Sequence, residues 1–292
     1  MPELRPVRDG DIASVIEVFW AALDDLAARN RRPPAPRNTA ALEELIRHLA
    51  TTDPASSIVA DDGGRVVAFG MLHARAGVGF LAFLFVLPAS QGHGLGRAIL
   101  DACRDGAGRP ARLGTCAEAD QPVSTGLYAA LGLAPRTPLY LLRGAMSPAN
   151  LPGLPLGIRA RRLAEPDVVA LDDDLLGYQR PADHAFFARS RRQGWAVEDE
   201  GGEVVGYGYV QPSGRLGPVA VADPALMAGL VGHLARSVVV PDGWQAVVPG
   251  TSGALPLLLA QGLRIDATPA VYCADHAGPD FGRYLPTSFA LL

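Results

Sequence analysis

The spacing of apolar residues changes repeatedly along this chain, and each change marks an element. Leu4–Val7 is a short apolar stretch that reads as a strand. Behind it Ile12, Val15, Ile16, Phe19 and Leu23 recur every three or four positions, the period of a helix, with Asp9 or Asp11 placed to cap it. Arg29–Arg37 breaks the pattern as a loop, and Thr39–Leu49 resumes it as a second amphipathic helix. Ser57–Ala60 and Arg65–His73 flank Asp61-Asp62-Gly63-Gly64 and predict a hairpin. Phe80–Leu87 is then continuously apolar, which predicts a strand buried on both faces, and Pro88 ends it because proline cannot donate to a sheet ladder. Helical spacing returns at Ala98, Ile99, Leu100 and Ala102. Arg112–Cys116 reads as a strand, Val123–Leu131 as a helix stopped by Gly132, and Leu139–Arg143 as a closing strand.

The same plan then repeats. Val197–Val210 (VEDEGGEVVGYGYV) matches Val59–Leu72 in its acidic pair, Gly-Gly turn, Val-Val and aromatic-Gly. Leu257–Leu263 (LLLAQGL) echoes Leu127–Leu133 (LYAALGL), and Ile158-Arg159 echoes Leu4-Arg5. Ordered matches of this kind predict an internal duplication. Between the copies, Met146–Gly157 (MSPANLPGLPLG) is rich in proline and glycine and reads as a linker. The expected organisation is a first domain over 1–145, a linker over 146–157 and a second domain over 158–292, both of α/β class.

Composition narrows the chemistry. Apolar residues make up 49% of the 292 positions, enough for a sizeable core. All 26 basic residues are arginine, which excludes a lysine Schiff base and a P-loop with its lysine. A net charge of −4 argues against a nucleic-acid surface. Cys103, Cys116 and Cys273 form an odd set without CxxC spacing, suited to a reducing compartment and to neither a disulfide frame nor a zinc site. The N-terminus does not read as a signal peptide and no apolar run approaches a membrane span. The expectation is a cytoplasmic protein with no metal, no nucleic acid and no membrane partner.

The candidate chemistry sits after the buried strand. Gln91-Gly92-His93-Gly94-Leu95-Gly96 lies between that strand and a helix. Glycines let consecutive N–H groups turn toward one point, and the helix adds its own unsatisfied N–H groups and positive dipole end. Such a turn cradles phosphate. A dinucleotide loop of the G-x-G-x-x-G kind would need glycine or alanine three places after Gly94, where this chain has Arg97.

Val86-x-Pro88-x-x-Gln91-Gly92-x-Gly94-x-Gly96 resembles motif A of the GNAT superfamily of acyl-CoA N-acyltransferases, and the order of elements over Leu4–Arg143 is similar to that fold. The resemblance implies two GNAT-like units, each a mixed, mostly antiparallel sheet flanked by helices, with a splayed strand pair at the acyl-CoA site. It implies acetyl-CoA as co-substrate and acetyl transfer to a primary amine by direct attack. Val86, Leu87 and Pro88 would flank the pantetheine arm, with the Val86 N–H a candidate to polarise the thioester oxygen. Gln91, Gly92, His93, Gly94, Leu95 and Gly96 would hold the pyrophosphate, His93 as a variable filler, and Arg97 would add charge. Tyr128 stands where the family has a general-acid tyrosine. Many relatives carry a glutamate base on the fourth strand, but Phe80–Val86 has no ionisable side chain. Glu118 acting through water is the candidate base, with Asp120 and His73 as alternatives.

The second half keeps the plan and lacks the motif. Leu216–Leu230 (LGPVAVADPALMAGL) has no glycine cluster, Asp223-Pro224 sets a carboxylate where phosphate would bind, and Leu258 matches Tyr128. That half reads as a GNAT-like unit without catalysis, completing an acceptor pocket, mediating a homodimer or binding another ligand; Tyr178, His184 and Trp195 are its candidate pocket residues. A small-molecule amine is the expected acceptor. Two other readings stay open: a non-enzymatic acyl-CoA or metabolite sensor, and an assembly module.

Overall fold

Gly63 and Gly64 turn the chain at φ of 61° and 91°, a conformation that glycine adopts without strain, and the Asp61 carboxylate accepts the Gly64 N–H at 2.7 Å. The turn joins β2 (Ser57–Asp62) to β3 (Arg65–Arg75). The structure is a computed structural model describing residues 2–292. Its chain divides into two units, the first running through Cys116 and adding Asp120–Ala134 and Ala274–His276.

In the first unit β1 (Glu3–Pro6), β2, β3 and β4 (Val78–Val86) pair antiparallel in that order, and β4 pairs parallel with β5 (Arg112–Glu118). Helices α1 (Ile12–Arg29) and α2 (Thr39–Thr52) cover one face of the sheet and α3 (Leu95–Gly106) the other. Adjacent strand residues point to opposite faces, and β3 shows it. The Phe69 ring stacks on Phe85 at 5.6 Å, and Phe85 meets Phe19 of α1 at 4.7 Å. A Cβ on Gly70 would instead stand 2.6 Å from Ile99 Cγ2 and 3.0 Å from Cys103 Sγ, both on α3. Glycine is required there because the helix comes that close. Burial pushes the Cys103 thiol up to about 12, so it stays protonated and inert. Helix α4 (Pro122–Ala129) follows β5, and Gly132 closes it with φ of 82°.

The second unit takes Ala117–Ala119, Pro135–Cys273 and Ala277–Leu292. Strand β6 (Ala134–Gly144) therefore lies almost wholly in it rather than closing the first unit. It pairs antiparallel with β11 (Trp244–Pro249) from Leu139 to Gly144, and Leu142 is buried in this unit's core. A strand's apolar pattern records that it is buried and not which neighbour buries it, so the partner was hidden in the sequence. The sheet continues through β10 (Arg215–Val221), β9 (Val204–Val210), β8 (Gln193–Glu198) and β7 (Arg159–Arg162). Strands β12 (Arg264–Ile265) and β13 (Ala270–Ala274) pair with β6, and β14 (Tyr284–Leu285) with β10. Helices α5 (Val169–Leu176), α6 (Pro181–Arg189), α7 (Met227–Arg236) and α8 (Ala254–Ala260) complete it.

The expected linker is not one. Leu151 is 5% exposed and belongs to the second core. Arg236 of α7 donates to the carbonyls of Pro148, Leu151 and Pro152 at 2.9–3.0 Å. A Cβ on Gly232 would stand 2.1 Å from the Pro152 carbonyl oxygen, and one on Gly229 2.8 Å from that of Gly153. Two helical glycines hold this segment against α7.

The two units share side-chain detail as well as topology. Arg5 donates to Asp11 at 2.7 Å and to Asp61 at 2.8 Å, and Asp11 also accepts the Arg8 N–H. Arg161 donates to Asp167 and Glu198, each at 2.6 Å, and Asp167 accepts the Ala164 N–H. Each guanidinium holds Asp11 and Asp167, respectively, below the ordinary carboxylate range. Arg161, not Arg159, is thus the counterpart of Arg5. Gly208 repeats Gly70: a Cβ there would meet Leu234 Cδ1 of α7 at 2.6 Å. Among the described residues, no helix is long and apolar enough to cross a membrane.

Candidate functional site

The site builds from the parting of β4 and β5. Their parallel register runs from Val78↔Arg112 to Leu81↔Thr115, whereas β4 stays paired with β3 to Val86↔Ala68. Leu87 donates its N–H to Val67 O at 2.9 Å. Alternate residues of a strand share a hydrogen-bonding edge, so Phe83 and Phe85 also face β3. Val86 and Leu84 turn their N–H and C=O to the opposite edge, the one β5 has left. The Val86 carbonyl accepts Gln91 Nε2 at 3.0 Å, which leaves the Val86 N–H directed into the gap.

Beyond Val86 the chain makes a short turn at Pro88–Ser90 and reaches α3 through Gln91–Gly94. Gly92 and Gly94 have φ of 83° and 77°, and nothing lies within 4 Å of where a Cβ would stand on either. Gly94 is the N-cap of α3 and its carbonyl accepts the Ala98 N–H at 3.1 Å. The N–H groups of Leu95, Gly96 and Arg97 precede the first intrahelical bond and point out of the helix end. The Gly96 Cα lies over the gap, where a Cβ would come 3.8 Å from Val86 Cγ2. The arrangement is an open slot along β4 leading to a cradle of N–H donors on a positive helix end, suited to an extended molecule ending in phosphates.

The expected cradle residues are therefore gathered in one place. His93 is exposed on the loop. Arg97 is 51% exposed on its side chain and lies 3.4 Å from Asp101 in an i,i+4 pair, worth little in water. Tyr128 is 4% exposed in the last turn of α4. Glu118 ends β5 in the short piece that groups with the second unit. Asp120 is 2.8 Å from Arg32 and accepts from Asn30 at 3.1 Å, which ties it to the loop after α1. His73 is buried against Phe80, ring centroids 5.5 Å apart. On the α1 face of β4, Phe83 and Phe85 join Phe19 and Phe69 in an aromatic wall.

The counterpart slot in the second unit is filled. Strand β10 pairs with β11 only at Arg215 and Leu216, then leaves it at Gly217-Pro218 as β4 leaves β5. The vacated edge is taken by β14, with Val219 opposite Leu285 and Ala220 opposite Tyr284, and Val221 N–H donates to Arg283 O at 3.0 Å. At the following turn the Asp223 carboxylate accepts the Ala225 N–H at 2.8 Å. A strand of the chain itself lies in the slot, and a carboxylate caps the helix end. Nothing in Tyr284-Leu285 announces this, because two residues carry no periodicity.

Sequence reasoning also missed a buried network in this unit, touching only His184 and Tyr178. Asp172 and Arg180 are each 1% exposed. Asp172 accepts from Arg180 Nε at 3.2 Å, from His184 Nε2 at 2.8 Å and from the Tyr207 hydroxyl. Arg180 also donates to Tyr207 at 2.9 Å and to Leu292 O at 2.6 Å. Burial pushes the Asp172 carboxyl up, but Arg180, His184 and Tyr207 outweigh it and the net direction is down. Burial lowers His184, which stays neutral. Its Nε2–H donates to Asp172, so Nδ1 accepts the Tyr209 hydroxyl at 2.9 Å. Tyr178 is buried, and Trp195 lies between the Arg162 guanidinium, 4.2 Å from its ring, and the His233 ring at 4.6 Å.

Comparison with known proteins agrees with this geometry. Residues 20–133 match the model of the acetyltransferase (GNAT) family. That stretch contains the splayed strands, the glycine loop, α3 and Tyr128. Across the whole chain, a candidate acetyltransferase from Pyrococcus horikoshii superposes with a TM-score of 0.76 at 15% identity, covering 99% of this chain and 95% of that one. A GCN5-related N-acetyltransferase from Sphaerobacter thermophilus gives 0.59 at 18% identity over 96% and 98%. A tandem GNAT protein from the clavulanic acid biosynthesis pathway gives 0.57 at 17% identity over 96% and 100%. At these identities the likeness is one of fold, and it extends through both units. Comparison with curated proteins returned no match.

Proposed function

We propose that the first unit transfers an acetyl group from acetyl-CoA to a primary amine on a small molecule by direct attack. The observation that carries this is the open edge at Val86 continuing into the Gln91–Gly96 cradle. On this reading the loop N–H groups and the α3 N-terminus hold the pyrophosphate, and the β4 edge aligns the pantetheine arm. The amine nitrogen attacks the thioester carbonyl, a C–N bond forms, and the C–S bond breaks. The Val86 N–H donates to the developing oxyanion. The attacking amine loses a proton to water held by Glu118, and Tyr128 gives one to the departing thiolate. Phe19, Phe83 and Phe85 favour an acceptor with an apolar body.

The test is thiol release from acetyl-CoA across an amine library. Tyr128→Phe should lower kcat by about 10²-fold with KM for acetyl-CoA nearly unchanged, the usual scale for loss of a general acid. Full activity in that variant would remove Tyr128 from the mechanism. Glu118→Gln should depress the basic limb of the pH profile. A second reading, a sensor that binds acyl-CoA without turnover, is favoured by a fourth strand without an ionisable side chain over Phe80–Val86. It requires calorimetric binding with no thiol release on any amine.

A further inference from the structure

We propose that the second unit binds a small organic anion with an apolar body, in a cleft between α6 and the strands β7, β8 and β9. The cleft measures about 400 Å³, within the range of metabolite sites. Arg162, Arg192, His184 and Gln193 are among its lining residues, and among the described residues that line it none is Asp or Glu. Leu163, Val168 and Pro181 supply apolar wall. A cation would face two guanidinium groups here, whereas a carboxylate gains two donors in fork geometry.

Both arginines are held in place. Arg192 lies 4.8 Å over the Phe187 ring and donates to Gly217 O at 2.9 Å, to Ser190 Oγ at 3.2 Å and to the Thr287 hydroxyl. Arg162 donates to Gln193 Oε1 at 3.0 Å while resting on Trp195. The floor is equally fixed. His184 and Tyr209 are 6% and 4% exposed, and both belong to the Asp172–Arg180–Tyr207 network. A satisfied buried network is rigid, and a pre-organised cleft loses little entropy on binding. None of this depends on catalysis by the first unit.

Calorimetry on the full chain with hexanoate and benzoate as probes, and hexanamide as the neutral control, tests the proposal. At least one carboxylate should bind saturably, and hexanamide at least tenfold more weakly than hexanoate. Arg162→Gln should weaken carboxylate binding about tenfold or more. Ala188→Trp, which sets an indole into the cleft from an exposed position of α6, should abolish it, with both variants melting like wild type. Gly94→Glu, in the first unit, should leave it unchanged. Absence of saturable binding by either carboxylate, equal binding of hexanamide and hexanoate, or wild-type affinity in both second-unit variants would overturn the proposal.

Discussion

At Asp172 and Arg180 a carboxylate and a guanidinium are both withdrawn from water, so each depends on the other and on the groups around them. Removing one member leaves the other charged and buried, which costs about 3–5 kcal/mol. Arg180→Met is therefore expected to destabilise the protein by about that much in equilibrium denaturation. The same network sets a pH dependence. Asp172, Tyr209, Tyr207, Phe187 and Arg180 surround His184, and burial holds it neutral with its pKa lowered. The unfolded chain takes up a proton at this histidine near pH 6.5 and the folded chain does so only at lower pH. Stability from His184 is thus complete above about pH 6.5 and is lost as pH falls from there, by at most about 1.4 kcal/mol per pH unit. Asp172, lowered in the fold, adds a second loss below about pH 4. Denaturation midpoints measured from pH 8 to pH 4 should show the first decline beginning near 6.5.

Strand β14 distinguishes the two units most sharply. It occupies in the second the edge that the first leaves open along β4, so acetyl-CoA should bind with a stoichiometry of one per chain. Gly94→Glu should abolish that one site. It combines about 1–3 kcal/mol of backbone strain at φ of 77° with a carboxylate facing phosphate. A residual site after this change would place binding in the second unit. Gly232→Ala should loosen residues 148–157 from α7, read as faster proteolysis in that segment, since the new Cβ would meet backbone at 2.1 Å. What was legible in the sequence has the same origin as these elements. The strand Phe80–Leu87, the glycine loop and the helix after it are local patterns, and the structure has them as Val78–Val86, Gln91–Gly94 and Leu95–Gly106. The aromatic-Gly pairs at Phe69-Gly70 and Tyr207-Gly208 carried a true repeat because a helix crosses both glycines closely. Non-local pairing left no such trace. The partner of β6, the strand at Tyr284-Leu285 and the packing of Leu151 are set by residues distant in the chain, as Leu139 is from Pro249 and Val219 from Leu285.

Across the whole molecule, the chain does not pass once from one unit to the next. Ala274–His276 returns to the first unit, where the Asp275 carboxylate accepts the Leu113 N–H at 2.8 Å and its N–H donates to Leu113 O at 3.1 Å. A truncation after Ala145 would lose Asp275 and carry β6 without β11, leaving an apolar strand edge exposed. Residues 1–145 alone should be less stable than the same unit in the full chain and should aggregate, measured by denaturation and light scattering. The filled slot of the second unit has a further consequence. Because β14 is tethered, it competes for the β10 edge at an effective concentration on the order of millimolar or above. A free thioester arm would have to exceed that local supply to displace it, so the β10 edge is in practice already saturated by a ligand of the chain's own.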